Sequence, residues 1–278
     1  MKTLLKNKSN LTTYLLGIFL FALSLIVSTL LNKGAVKTYF PFTSVILLTI
    51  ATWFLYKREN KPLKELGLSL NFKNLKFLLF GIILIAFVYL LAKYLRAVYL
   101  GETINLSTAL NTKALLFAFY TILPTVAVEE FIFRGYLFKK TIELTSVVKA
   151  NIIFALLFTS IHFFDEDILS HPGKMILIAT SIPVGHLLFS TALLKSKTLF
   201  FPIGLHLGNN WASRHLISTD SSGNSIFYIT DSFQFNTWPG FISFVVLWNL
   251  FFLLVILIIW KWDKIAMYLS KKSFNFII

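Results

Sequence analysis

The sequence predicts an all-α, polytopic membrane protein with about eight transmembrane helices around an intramembrane polar chamber. Three observations predict it. Of 278 residues, 56% are hydrophobic and 14% charged, against about 25% charged in a soluble domain. Thirty phenylalanines and a mean hydropathy of +0.75 exceed what a single globular core of this length can hide. The lysines behind the net charge of +14 punctuate apolar runs, as cationic loops do between spans. A soluble enzyme, a disordered tail and a nucleic-acid-binding module are poor fits, and no nucleic-acid partner is expected. The absence of cysteine removes disulfides, thiolate metal sites, catalytic Cys and palmitoylation.

A span needs about 20 mostly apolar residues, and eight stretches qualify: Leu11–Leu31, Phe40–Tyr56, Phe77–Ala92, Ala114–Phe138, Val147–Phe164, Met175–Leu194, Thr198–Leu216 and Phe241–Trp260. The third and fifth read as short. The first has too long an apolar core for a signal peptide and no clean cleavage site, so it is expected to remain as a span. There is no internal repeat, and residues 1–278 read as one integral membrane domain. With the N-terminus inside, nineteen of the 26 Lys and Arg fall on the inner side and seven on the outer. The expectation is therefore both termini in the cytoplasm. Lys57–Lys76 is basic and intermittently apolar, a connector or a segment lying along the anionic inner leaflet. The Ser-, Asn- and Thr-rich stretch 217–240 is expected to be the most flexible loop.

Ionisable residues inside spans cost about 2.5–3.5 kcal/mol each, so each needs a partner or a purpose. The fourth span carries Glu129, Glu130 and Arg134, the fifth His162, the sixth His186, and the seventh His206, Asn209 and Asn210. On a rise of 1.5 Å per residue, Glu129 lies roughly 15 Å from Lys139, His162 roughly 20 Å from Lys149 and His206 roughly 14 Å from Lys197. Three helices thus bring a carboxylate and two imidazoles to one layer, which points to a shared polar site. Glu130 and Arg134 are four apart in the acid-first order that pairs best, leaving Glu129, about 100° away, free to act. His206 and Asn210 also share a face, with Asn209 turned away, and Phe158 forms a wall one turn before His162. His186 reads as a satisfied core residue.

Water activation suits these groups. Glu129 can serve as general base, His162 can share the proton or orient the water, and His206 with Asn210 can hydrogen-bond a developing oxyanion. The same Glu and His residues could instead ligate zinc, but no H-E-x-x-H is present and zinc would leave Arg134 and Asn210 without a role. A proton relay in a transporter is a further alternative. No serine or aspartate intramembrane-protease motif is present.

The strings "EEFIFRG" (129–135), "FTSIH" (158–162) and "HLGNN" (206–210) resemble the three ordered signatures E-E-x-x-x-R, F-x-x-x-H and H-x-x-x-N of the CAAX-protease and bacteriocin-processing (Abi) family. Type II CAAX prenyl proteases belong to this family. The resemblance covers about residues 114–216, the core carrying all three motifs, and "LKELGLSL" near Leu66 resembles the family's region before it. It implies an intramembrane glutamic endopeptidase, free of metal and other cofactors, with its chamber open to the cytoplasm. Glu129 and His162 would activate water, and His206 and Asn210 would form the oxyanion hole, with Glu130, Arg134 and Phe158 in support. The partners implied are the bilayer and a membrane-associated or lipidated peptide or protein. An alternative within the same fold is a non-catalytic membrane partner or bacteriocin-immunity protein. His186, beside Gly185, departs from the small apolar residues usual there. The Lys-, Asn-, Phe- and Ile-rich composition points to an AT-rich bacterial genome, hence a bacterial plasma membrane.

Overall fold

The structure is a computed structural model that describes residues 2–164, 166–219 and 221–274. The elements are α1 (Lys2–Leu31), α2 (Gly34–Tyr39), α3 (Thr43–Arg58), a 3-10 turn (Leu63–Leu66), α4 (Phe72–Leu100), β1 (Thr103–Leu106), α5 (Thr112–Arg134) and α6 (Tyr136–Leu144). They continue with α7 (Val147–His162), α8 (Glu166–Leu169), α9 (Pro172–Ser196), α10 (Phe200–Trp211), a π-helical turn (Ala212–Leu216), β2 (Ile217–Ser218), β3 (Phe227–Thr230) and α11 (Trp238–Phe274). Among the described residues, five helical stretches are long and apolar enough to cross a membrane: Asn10–Leu31, Phe72–Leu100, Thr112–Leu144, Pro172–Ser196 and Trp238–Ile265. Their outward faces expose Phe19, Ile26, Ile83, Phe87, Leu254 and Leu257, as lipid-facing residues would be. The chain is a helical, integral membrane protein.

The remaining three expected spans are shorter helices: α3 with 16 residues, α7 with 16 and α10 with 12. The third expected span is not short, because α4 runs for 29 residues. Its start and stop are local. Asn71 caps the first turn by accepting from Asn74 N–H at 2.9 Å, and Gly101 closes the last turn at φ +70°, a left-handed conformation that glycine adopts without strain. Asn111 and Ser146 cap α5 and α7 in the same way. The fourth expected span breaks at Gly135, where a Cβ would meet the Phe131 carbonyl at 2.1 Å. The helix therefore ends at Arg134 and restarts as α6.

The helices alternate, so the chain has two ends. The start of α1, the segment 59–71, the α6–α7 turn, the α9–α10 turn and the end of α11 share one, called here the termini end. There Leu66 is fully buried, Thr198 donates to the Gly67 carbonyl at 2.9 Å, and Lys195 pairs with Asp263. The basic segment 57–76 is thus docked onto the bundle around Leu66, Gly67 and Asn74, while most of its other residues, Leu70 and Phe72 among them, are exposed. At the opposite end β3 is central in a small sheet, antiparallel to β1 and parallel to β2. The expected flexible loop therefore holds two strands. Arg96 pairs with Glu102 at 2.6 Å, and Glu102 accepts from the Phe233 N–H at 2.9 Å, tying the sheet region to the end of α4.

Close approach of α4 and α10 sets the rotation of the helix that carries His206. A Cβ on Gly81 would lie 2.8 Å from the Leu205 nitrogen, one on Gly204 2.2 Å from the Leu78 carbonyl, and one on Gly208 2.7 Å from the Ile82 carbonyl. Small residues let helix backbones touch where lipid supplies no hydrophobic drive between helices. Gly204→Ala should destabilise the protein by about 1–3 kcal/mol through overpacking, read as a lower unfolding temperature in detergent micelles. Gly185→Ala, inside α9 and with nothing within 4 Å of its Cβ, should instead hold or raise that temperature, since alanine favours a helix interior over glycine.

At the termini end the α1–α3 pair is anchored to α6 through Glu59. Its carboxylate accepts from Tyr136 at 2.7 Å and pairs with Lys140 at 2.8 Å and Lys61 at 3.1 Å, while Lys61 also meets Glu143 at 2.7 Å. Burial pushes the Glu59 carboxyl up, but the hydrogen bonds from Lys140, Tyr136 and Lys61 outweigh it and hold the group below its ordinary 4.5. A carboxyl lowered by folding contributes stability that is complete above about 4.5 and lost as pH falls through its folded value. Glu59→Gln should therefore be less stable than wild type at neutral pH, and the difference should shrink on acidification below that point in thermal melts.

Candidate active site

The floor of the site is a buried ion cluster built from two helices. Glu130 and Arg134, one turn apart on α5, are fully buried and meet at 3.2 Å. The same Glu130 oxygen accepts from His206 Nδ1–H at 2.7 Å, across from α10. Glu130 is thus a bridge between helices as well as the partner of Arg134. Arg134 lies under three rings, its guanidinium carbon 4.3 Å from the centroid of Phe158, 5.1 Å from Phe189 and 5.8 Å from Phe133. Such cation–π contacts help hold a desolvated guanidinium whose Nε and Nη2 have no hydrogen-bond acceptor. Phe189 also stacks on His206 at 4.7 Å with 15° between planes, which fixes the imidazole plane.

Above this floor lies a cavity of ≈ 720 Å³. Glu129, Phe158, His162, His206 and Asn210 all line it, so the structure brings the expected residues to one chamber. Glu129 Oε2 stands 3.6 Å from His206 Nε2, outside hydrogen-bond distance but close enough for one reacting group to touch both. His162, the last residue of α7, donates from Nδ1 to the Phe158 carbonyl at 2.7 Å. A carbonyl can only accept, so the proton sits on Nδ1 and a neutral His162 keeps an accepting Nε2.

Two expectations change. Asn209 lines the chamber along with Asn210, because two neighbours about 100° apart on a helix can both face a wide cavity. His186 is fully buried but not satisfied: both ring nitrogens lack a partner, and the ring packs against Phe138 and Phe158. Phe189, Ser181 and Asn249 were not anticipated as lining residues. No spacing signal marks Phe189, since its role comes from stacking on a different helix. Among the described residues, no group of three or more His, Cys, Asp or Glu side chains is arranged to hold a metal ion.

The chamber is membrane-embedded, with a carboxylate facing an imidazole above a floor of buried ion pairs. Residues 111–212 match the family model described as Type II CAAX prenyl endopeptidase Rce1-like, a segment that contains all three motifs. The resemblance read from those motifs thus holds over this segment, a little over a third of the chain. No curated protein and no solved structure matches the chain.

Removing Arg134 would leave Glu130 charged and buried with only His206 to meet it. Arg134→Ala should cost about 3–5 kcal/mol, the usual penalty for breaking a buried pair from one side. The double variant Glu130→Gln/Arg134→Met, which removes both charges, should recover part of that loss in thermal unfolding. An Arg134→Ala protein as stable as wild type would show that the pair does not hold the fold.

Proposed function

We propose that the protein is an intramembrane glutamic endopeptidase that hydrolyses a peptide bond in a membrane-associated or lipidated peptide. The observation that carries this reading is Glu129 facing His206 across the chamber, with the other nitrogen of His206 clamped by the buried Glu130–Arg134 pair. Glu129 takes a proton from water, and the hydroxide attacks the scissile carbonyl carbon. His162, with its tautomer set by the Phe158 carbonyl, accepts a hydrogen bond from that water and orients it. The tetrahedral oxyanion receives hydrogen bonds from protonated His206 Nε2–H and from the Asn210 carboxamide. Glu129 then gives its proton to the departing amine as the C–N bond breaks, and the enzyme returns to its starting state.

Charge balance supports this division of labour. With His206 protonated, two carboxylates meet one guanidinium and one imidazolium, so the cluster is neutral overall. A neutral cluster is the arrangement least penalised in a low-dielectric interior. The doubly protonated imidazole is the form able to donate from Nε2 while Nδ1–H remains engaged with Glu130. No step requires a metal ion.

The test is cleavage of a mixed panel of lipidated and leader-type peptides by the purified protein in lipid nanodiscs, read by mass spectrometry. Glu129→Gln should lower the rate by about 10²–10⁴-fold, the range contributed by a general base, with an unchanged melting temperature. A chelator should leave the wild-type rate unaltered. Cleavage by Glu129→Gln at the wild-type rate would refute the assignment.

A further inference from the structure

The chamber has a direction. Starting from the level of Glu129 and His206, its lining climbs α9 from Gly185 to Ser181 and Leu177, and α10 from His206 to Asn210 and on to Arg214 in the π-helical turn. It climbs α4 from Tyr89 to Lys93 and Arg96, and α11 from Phe252 to Phe244. All four paths lead away from the termini end, towards the end carrying the sheet. In the other direction the way is closed: Arg134, Phe138 and His186 are fully buried and Phe158 nearly so. A separate cavity of ≈ 680 Å³ lies at the termini end among Arg58, Glu59, Lys61, Lys140 and Glu143, and none of the chamber's lining residues borders it.

The chain's charge also has a direction. Eighteen of its 26 Lys and Arg belong to the termini end and seven to the end where the chamber opens, with Arg134 buried between them. The loops at both ends are short, the condition under which this asymmetry sets orientation. A cytoplasmic chamber mouth and cytoplasmic termini cannot both hold in this fold, because mouth and termini lie on opposite faces. Turning the mouth inward would send eighteen cations outward.

We propose that the chamber is entered from the extracytoplasmic face. Its substrate would then be a peptide already exported, or the extracytoplasmic end of a membrane-anchored one, rather than a chain tethered to the inner leaflet. This rests on the peptidase reading for what the chamber does, but not for which way it faces.

The natural absence of cysteine makes single-cysteine variants clean reporters. Ser232→Cys lies in the exposed loop at the chamber end, Lys64→Cys is exposed at the termini end, and Thr125→Cys is exposed on the chamber wall. Intact cells expressing each variant would be treated with a membrane-impermeant maleimide, before and after permeabilisation. Ser232→Cys and Thr125→Cys should be labelled on intact cells and Lys64→Cys only after permeabilisation. The reverse pattern at Ser232 and Lys64 would overturn the orientation. Labelling of Thr125→Cys only together with Lys64→Cys, or from neither side while Ser232→Cys reacts, would overturn the mouth. Because labelling needs no turnover, failure of the peptide-cleavage assay would count against the peptidase reading and leave this result standing.

Discussion

One carboxylate, Glu130, holds the site together. It accepts from Arg134 on its own helix and from His206 on another, at 3.2 and 2.7 Å, with none of its surface exposed. Burying ions is expensive, and buried pairs seldom add net stability over apolar residues of similar volume. Their effect here is on geometry. A guanidinium under Phe158 and Phe189 and an imidazole stacked on Phe189 leave the carboxylate few alternative positions, and through it the rotation of α10 is locked to that of α5.

Everything around this bridge keeps α10 within reach. The glycine contacts between α4 and α10 press one backbone against another, so His206 is carried on a helix with little freedom to roll. Gly135 ends α5 one residue after Arg134 and frees the chain to turn into α6. There the Glu59 network ties in α3 and, with it, the lysines of the termini end. The layer that holds Glu129, His162 and His206 is thus built on the end of α5 and on the short helices α7 and α10. A chamber deep in a membrane needs such interruptions, because uninterrupted packed helices would fill it.

His186 is the feature that this scheme does not absorb. Both its nitrogens are buried without partners, a cost of roughly 1–3 kcal/mol per unmet group, and nothing in the structure explains why a histidine occupies that position.

The sequence by itself determined what depends on neighbours along one helix. Hydropathy located every major helix, and four-residue spacing identified the Glu130–Arg134 pair. Rise per residue brought Glu129, His162 and His206 to one layer, since 1.5 Å steps add up in the same way in any straight helix. Helix lengths were less legible at α4 and at Gly135, where a cap or a single carbonyl contact decides the end and hydropathy averages over it. Only the tertiary structure decided that Glu130 also binds His206, 76 positions away, that Phe189 stacks on that imidazole, and that Asn209 reaches the chamber. It alone showed that the chamber's lining runs away from the end where the segment 59–71 and the α9–α10 turn lie. Each of these depends on how one helix is rotated and seated against another, and that relation is set by glycine contacts and buried charges from separate parts of the chain, which no periodicity within a single segment records.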